Sequence, residues 1–174
     1  MGAWEDADDA ENERRARALA SPLRMRILRL CLHEPRTNKE LADELGVNPG
    51  TLLHHIRTLV DTGFLSAEPP RRGLRGAREV PYLATRRSWN SGADNISLTL
   101  VETFLQEIEG LPPNRLHIVR LGLKLNAASR DELIDRFQAL FEEYRARPAD
   151  ADGEPLSLMF AEHPEISRSE RGGR

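Results

Sequence analysis

The stretch "TNKELADELGVNPGTLLHHIRTLVDTG", residues 37–63, constrains the fold more than any other part of the chain. Thr37 lies three residues before Glu40, the spacing of a capping box that opens a helix through "NKELADEL". Gly46 ends that helix. Asn48 is suited to cap the next one, Pro49 fits a first turn in which its missing N–H costs nothing, and Gly63 suits the left-handed residue that closes it. With only "GVN" between them, the two short helices make a helix-turn-helix. Leu52, Ile56, Leu59 and Val60 mark the inward side of the second helix.

The flanks extend this unit. Upstream, "ENERRARALA" predicts one helix and "SPLRMRILRLCLHE" a second, capped by Ser21 with Pro22 in its first turn and with Leu23, Ile27, Leu30 and Cys31 on one stripe. Downstream, "FLSAE" and "REVPYLAT" predict short strands around "PPRRGLRGA", where Pro and Gly interrupt regular structure. A helix-turn-helix followed by a β-hairpin is a winged helix, here over residues 13–90. Residues 1–12 read as a disordered acidic tail.

Beyond the wing, "NISLTLVETFLQEIEG" predicts a helix within residues 91–111, with Ile96, Leu100, Val101, Phe104, Leu105 and Ile108 on one side. Its apolar stripe is expected to pack on a second copy, assisted by the first helix of the chain. Leu121, Leu123 and Leu125 then alternate as in a strand buried on one face, and "LSLMFA" predicts another. Between them, Ser129 and Glu132 have capping-box spacing ahead of a helix bearing Leu133, Ile134, Phe137, Leu140, Phe141 and Tyr144. Residues 112–163 therefore read as a small β-α-β segment and residues 164–174 as a disordered tail. The predicted class is α+β: a mainly helical winged helix-turn-helix domain, a dimerisation helix and the β-α-β segment.

Composition narrows the partners. The chain has no apolar run long enough to span a membrane, and its acidic start lacks the features of a secretory leader, so a cytoplasmic location with no membrane partner is expected. A single cysteine, Cys31, excludes a disulfide within the chain and reads as a small apolar residue on a buried face. The net charge of −3 is unevenly placed. Residues 14–90 carry a balance of +8 between acidic flanks, which points to a polyanion as the partner of this segment.

Two adjacent histidines, His54 and His55, stand in the second helix of the pair. Neighbours on a helix lie about 100° apart, so they do not share a target. A helical histidine clamp uses spacings of three or four, and no carboxylate or thiolate completes a set, so no metal is expected. With no nucleophile spaced to pair with either histidine and no phosphate-cradling glycine loop, neither an enzyme nor a cofactor is expected. Gly50, His54 and Arg57 point away from the core, Thr51 lies on the flank and His55 sits at the core boundary, where a structural role is expected.

The second helix of such a pair enters the DNA major groove. Gly50 would permit close approach, Asn48 and Thr51 would reach phosphates or base edges, and His54 and Arg57 would donate to guanine N7 and O6. His55, Thr37, Asn38 and Lys39 complete the candidate set around this helix. From the wing, Arg71, Arg72, Arg75 and Arg78 suit backbone phosphates or a narrow minor groove.

"ALASPLRMRILRLC", "TNKELADELGVNPGTLLHHIRTLVDTGFL" and "YLAT" resemble the arsenic-repressor (ArsR) family of bacterial winged-helix regulators across residues 14–85. Thr51, His54, His55, Leu59, Gly63 and Leu65 fall on that family's pattern. The resemblance implies a homodimer whose helix from Asn48 reads double-stranded operator DNA. The paired cysteines of metal-sensing members have no counterpart in "NKELADEL", and the helix after the wing has no histidine ligand. The expected function is a homodimeric repressor on a near-palindromic operator. The alternatives are a winged-helix module binding an acidic protein, or a repressor responding to an unidentified small molecule through residues 112–163.

Overall fold

The computed structural model describes residues 3–73, 76–90 and 97–164. The chain divides into two compact units, Met1–Pro113 and Asn114–Arg174.

The first unit holds helices α1 (Ala3–Leu19), α2 (Pro22–Leu30), α3 (Asn38–Leu45), α4 (Pro49–Asp61) and α5 (Ser97–Ile108). Leu19, Ile27, Cys31, Leu41, Leu52, Ile56 and Leu59 are its largest fully buried side chains, so α1 to α4 all contribute to one core. Burying each of the larger aliphatic groups stabilises by roughly 1.5–3 kcal/mol. Gly46 and Gly63 adopt φ of 64° and 74°, the left-handed geometry expected at the ends of α3 and α4. After α4 the Phe64 N–H donates to the Leu59 carbonyl at 2.8 Å, turning the chain into the first wing strand.

α1 begins at Ala3, inside the stretch predicted to be a disordered tail. Two features favour the longer helix. Acidic residues crowd its N-terminal half, where the helix dipole favours negative charge, and Glu11 and Glu13 pair with Arg15 and Arg17 one turn on.

Strands β1 (Arg36–Thr37), β5 (Pro81–Ala84) and β2 (Leu65–Ala67) form an antiparallel sheet in that spatial order. Leu65 pairs with Ala84 and Arg36 with Tyr82. β1 was not anticipated, because a two-residue strand carries no periodic signal. β3 (Arg71–Arg72) and β4 (Arg78–Glu79) make the wing hairpin, in which the Gly73 N–H donates to the Ala77 carbonyl at 2.8 Å. Beyond the wing, α5 packs on α2, where Arg29 pairs with Glu107 at 2.8 Å.

In the second unit, α6 spans Ala127–Ala146. Its cap is Asn126, whose Oδ1 accepts from the Ser129 N–H at 2.9 Å, so the helix starts earlier than the Ser129–Glu132 spacing predicted. The predicted flanking strands are corrected: among the described residues, neither 116–126 nor 153–164 joins a ladder. A strand exists only through a hydrogen-bonded neighbour, and alternating leucines do not supply one; a lone pair of strands is marginal in water. Even so, segment 153–164 lies along α6. Phe137 and Phe160 stack with ring centroids 4.1 Å apart, Arg130 pairs with Glu162, and Arg115 approaches Glu154 at 3.6 Å. The α+β, mainly helical architecture holds, with the sheets of the described residues lying in the first unit.

Candidate nucleic-acid interface

α3 and α4 each open on a side-chain cap. Thr37 Oγ1 accepts from the Glu40 N–H while the Glu40 carboxylate accepts from the Thr37 N–H, a complete capping box. Asn48 Oδ1 accepts from the Gly50 N–H at 2.8 Å to open α4, and Asn38 Nδ2 donates to the Pro49 carbonyl at 3.1 Å, tying the two helix starts together. Leu52, Ile56 and Leu59 face inward with no exposure. Asn48, Gly50, Thr51, His54 and Arg57 are all exposed, along with Lys39 at the start of α3. The exposed side of α4 is thus polar and cationic.

The wing supplies more charge and is anchored to α3. Arg71 pairs with Glu40, the carboxylate already engaged in the capping box. The Thr37 N–H, and secondarily the Arg71 and Arg36 charges, hold the Glu40 carboxyl below its ordinary pKa. Arg72 stands directly opposite Arg78 across the hairpin, both exposed. Like charges facing one another across strands repel, and an intervening anion removes the repulsion.

His55 occupies a different setting from His54. It is half-buried, with Nδ1 3.5 Å from the Arg24 guanidinium. Burial first, then the charges of Arg24 and His54, hold its pKa below the ordinary histidine value. Arg24 also donates to the Arg17 carbonyl at 2.7 Å and to the Ala18 carbonyl, so this junction fastens the end of α1 to α2 and α4.

Residues 19–66, which span the buried start of the core, both helices of the pair and the first wing strand, match a helix-turn-helix domain family. This part of the chain is a helix-turn-helix domain. Across 68 residues the chain is 36% identical to a Streptomyces lividans protein named "Probable mercury resistance operon repressor", an overlap covering 39% of this chain and 54% of that one. The chain thus spans about half the length of the curated relative it matches. Similar solved structures include a Mycobacterium bovis domain, described as homodimeric, winged helix-turn-helix and from a possible ArsR-family transcriptional regulator. It is 20% identical and covers 69% of this chain and 97% of its own, with a TM-score of 0.41. Reduced HlyU from Vibrio cholerae is 17% identical, covering 62% of this chain and 97% of its own, with a TM-score of 0.39. The domain match and the curated relative bear out the ArsR-type resemblance read from the sequence.

Within the helix-turn-helix domain, not every candidate residue reaches the surface. Thr37 is buried with its hydroxyl committed to the cap, which removes it from the proposed contacts. Asn38 is half-buried and used in the turn. Arg75 lies outside the described residues, as does Ile96. On α5, Leu100, Val101 and Leu105 are exposed, whereas Phe104 and Ile108 are half-buried, so the predicted stripe is split between two directions. Leu98, 82% exposed, joins the outer group and was missed because it stands two residues from both Ile96 and Leu100, off the spacing that defined the stripe. The Arg71–Glu40 pairing and the Arg24–His55 contact were missed as well; each joins residues 31 positions apart. Among the described residues no group of three His, Cys, Asp or Glu side chains is arranged to hold a metal, and no helix is long and apolar enough to cross a membrane.

Proposed function

We propose that the protein is a homodimeric, sequence-specific DNA-binding transcriptional regulator acting as a cytoplasmic repressor. The observation that carries this reading is the exposure of Gly50, Thr51, His54 and Arg57 on α4, together with that of Arg72 and Arg78 on a wing that Arg71 ties to Glu40 of α3. An exposed, rigidly capped second helix suits the major groove, and the facing arginines suit phosphates. Leu98, Val101 and Leu105 on the outer side of α5 would meet the same residues of a second copy. Two-fold symmetry would then set two recognition helices roughly 34–36 Å apart on a near-palindromic operator, where a bound dimer blocks polymerase. The metal named for the Streptomyces relative does not carry over. The only thiol, Cys31, is fully buried, and burial pushes it up to about 12.

The test is retention of genomic DNA fragments by the purified protein, followed by sequencing and titration with salt. A recurrent near-palindrome bound with a steep salt dependence is expected, because phosphate contacts release condensed counterions. Retention without a shared site, or affinity indifferent to salt, rejects the reading.

A further inference from the structure

Among the described residues of 114–164 none is buried, so the second unit offers no enclosed wall against which to hold a small molecule. The first unit does. A cleft of about 300 Å³, at the small end of the range for ligand sites, opens where the end of α1 and the start of α2 meet the last turns of α4. Its lining is polarised. Arg14 and Arg17 of α1 and Arg24 of α2 bring donors, whereas Thr58, Asp61 and Thr62 at the end of α4 bring acceptors. The Thr58 and Thr62 hydroxyls already donate to the His54 and Thr58 carbonyls, at 3.1 and 2.7 Å, which leaves their oxygens to accept.

The charges around the cleft are incompletely matched. Arg14 and Arg17 pair along α1 with Glu11 and Glu13. Arg24 and Asp61 line the same cleft, yet among the described residues neither forms an ion pair, with the other or with any third group. Arg24 is held by the Arg17 and Ala18 carbonyls and lies against His55, contacts that do not exhaust its N–H donors. Burial holds its guanidinium below the ordinary pKa, the direction expected of a cation short of a counter-charge. A plain anion, a DNA phosphate included, would satisfy Arg24 and be repelled by Asp61. A metal ion would meet one carboxylate among arginines. A zwitterion satisfies both ends at once, because a guanidinium fork matches a carboxylate and an ammonium matches a cluster of acceptor oxygens.

We propose that this cleft binds a free amino acid, its carboxylate on Arg24 with Arg14 and Arg17 beside it, and its ammonium on Asp61 and the threonine oxygens. The site lies at the end of the helix that carries His54 and Arg57, but it stands apart from the DNA reading, since its test contains no DNA. Calorimetric titration of the full chain with each standard amino acid tests it, alongside the amine-free acid and the carboxyl-free amine corresponding to each binder, and inorganic phosphate. At least one amino acid is expected to bind saturably below about 1 mM. Removing either charged group from it should weaken binding roughly tenfold or more, the loss of a hydrogen bond to a charged partner. Asp61→Asn should bring the amino acid and its amine-free acid to nearly equal affinity, and Arg14→Gln combined with Arg17→Gln should weaken both. All three side chains are exposed, so these variants keep the core intact. The proposal is overturned by the absence of saturable binding by any amino acid, or by affinities indifferent to both variants. It is equally overturned if the amine-free acid or phosphate binds as tightly as the amino acid, which would leave an anion site only.

Discussion

His54 and His55 are neighbours with opposite surroundings, and substitution should separate them. His54→Ala or Arg57→Ala should cost on the order of 1–3 kcal/mol at the operator and relax preference at one base per half-site. Binding to random DNA should fall far less; equal losses on both DNAs would reject the assignment. His55 should report through stability instead. Because its folded-state pKa is depressed, the unfolded chain takes up the proton first as pH falls below the ordinary 6.5, and stability drops until the folded state protonates too. Wild type should therefore lose more unfolding free energy than His55→Gln between pH 7.5 and 5, and parallel curves would refute this. At the fully buried Cys31, whose thiol is pushed up to about 12, mercuric, zinc, cadmium or arsenite ions should leave operator affinity unchanged. A tenfold release by any of these ions would contradict it. The outward direction of His54 and Arg57 was legible from helical spacing, since the apolar positions fix the angle of every other residue. The partner of His55 was not, because Arg24 comes from another helix.

Among the elements, the caps were the most legible, since Thr37, Gly46, Asn48 and Gly63 act on residues a few positions away. What a cap excludes was harder to read. Thr37 was expected at the DNA, yet its hydroxyl is turned inward. Thr37→Ala should lower stability by about 1 kcal/mol, measured by denaturant titration, while leaving the ratio of operator to random binding unchanged. A changed ratio at unchanged stability would return Thr37 to the interface. For the wing, Arg72→Ala and Arg78→Ala should each weaken binding to all sequences and reduce the slope of log affinity against log salt by about one. An unaltered slope would remove the hairpin from the duplex. Arg71 differs because it holds the hairpin to α3 through Glu40, a pairing of residues 31 positions apart that no local pattern reveals.

For the whole molecule, assembly is the decisive property. Leu105→Arg should place an unpaired charge in the α5 contact, yielding a monomer by sedimentation and a loss of operator binding far beyond that of any single wing substitution. A stable wild-type monomer that still binds its operator tightly would refute this. Helices α1 to α4 were readable because their pattern is satisfied within one chain, with each apolar stripe closing on the next. The second unit was readable only as potential: the alternation of Leu121, Leu123 and Leu125 marks a face, and among the described residues no strand pairs with it. The absence of a buried residue there has a thermodynamic consequence. Denaturant sensitivity scales with the surface newly exposed on unfolding, and residues 114–164 have little left to expose in a single copy. In dilute solution the unfolding slope should therefore be that of a protein the size of the first unit, and it should steepen as concentration rises.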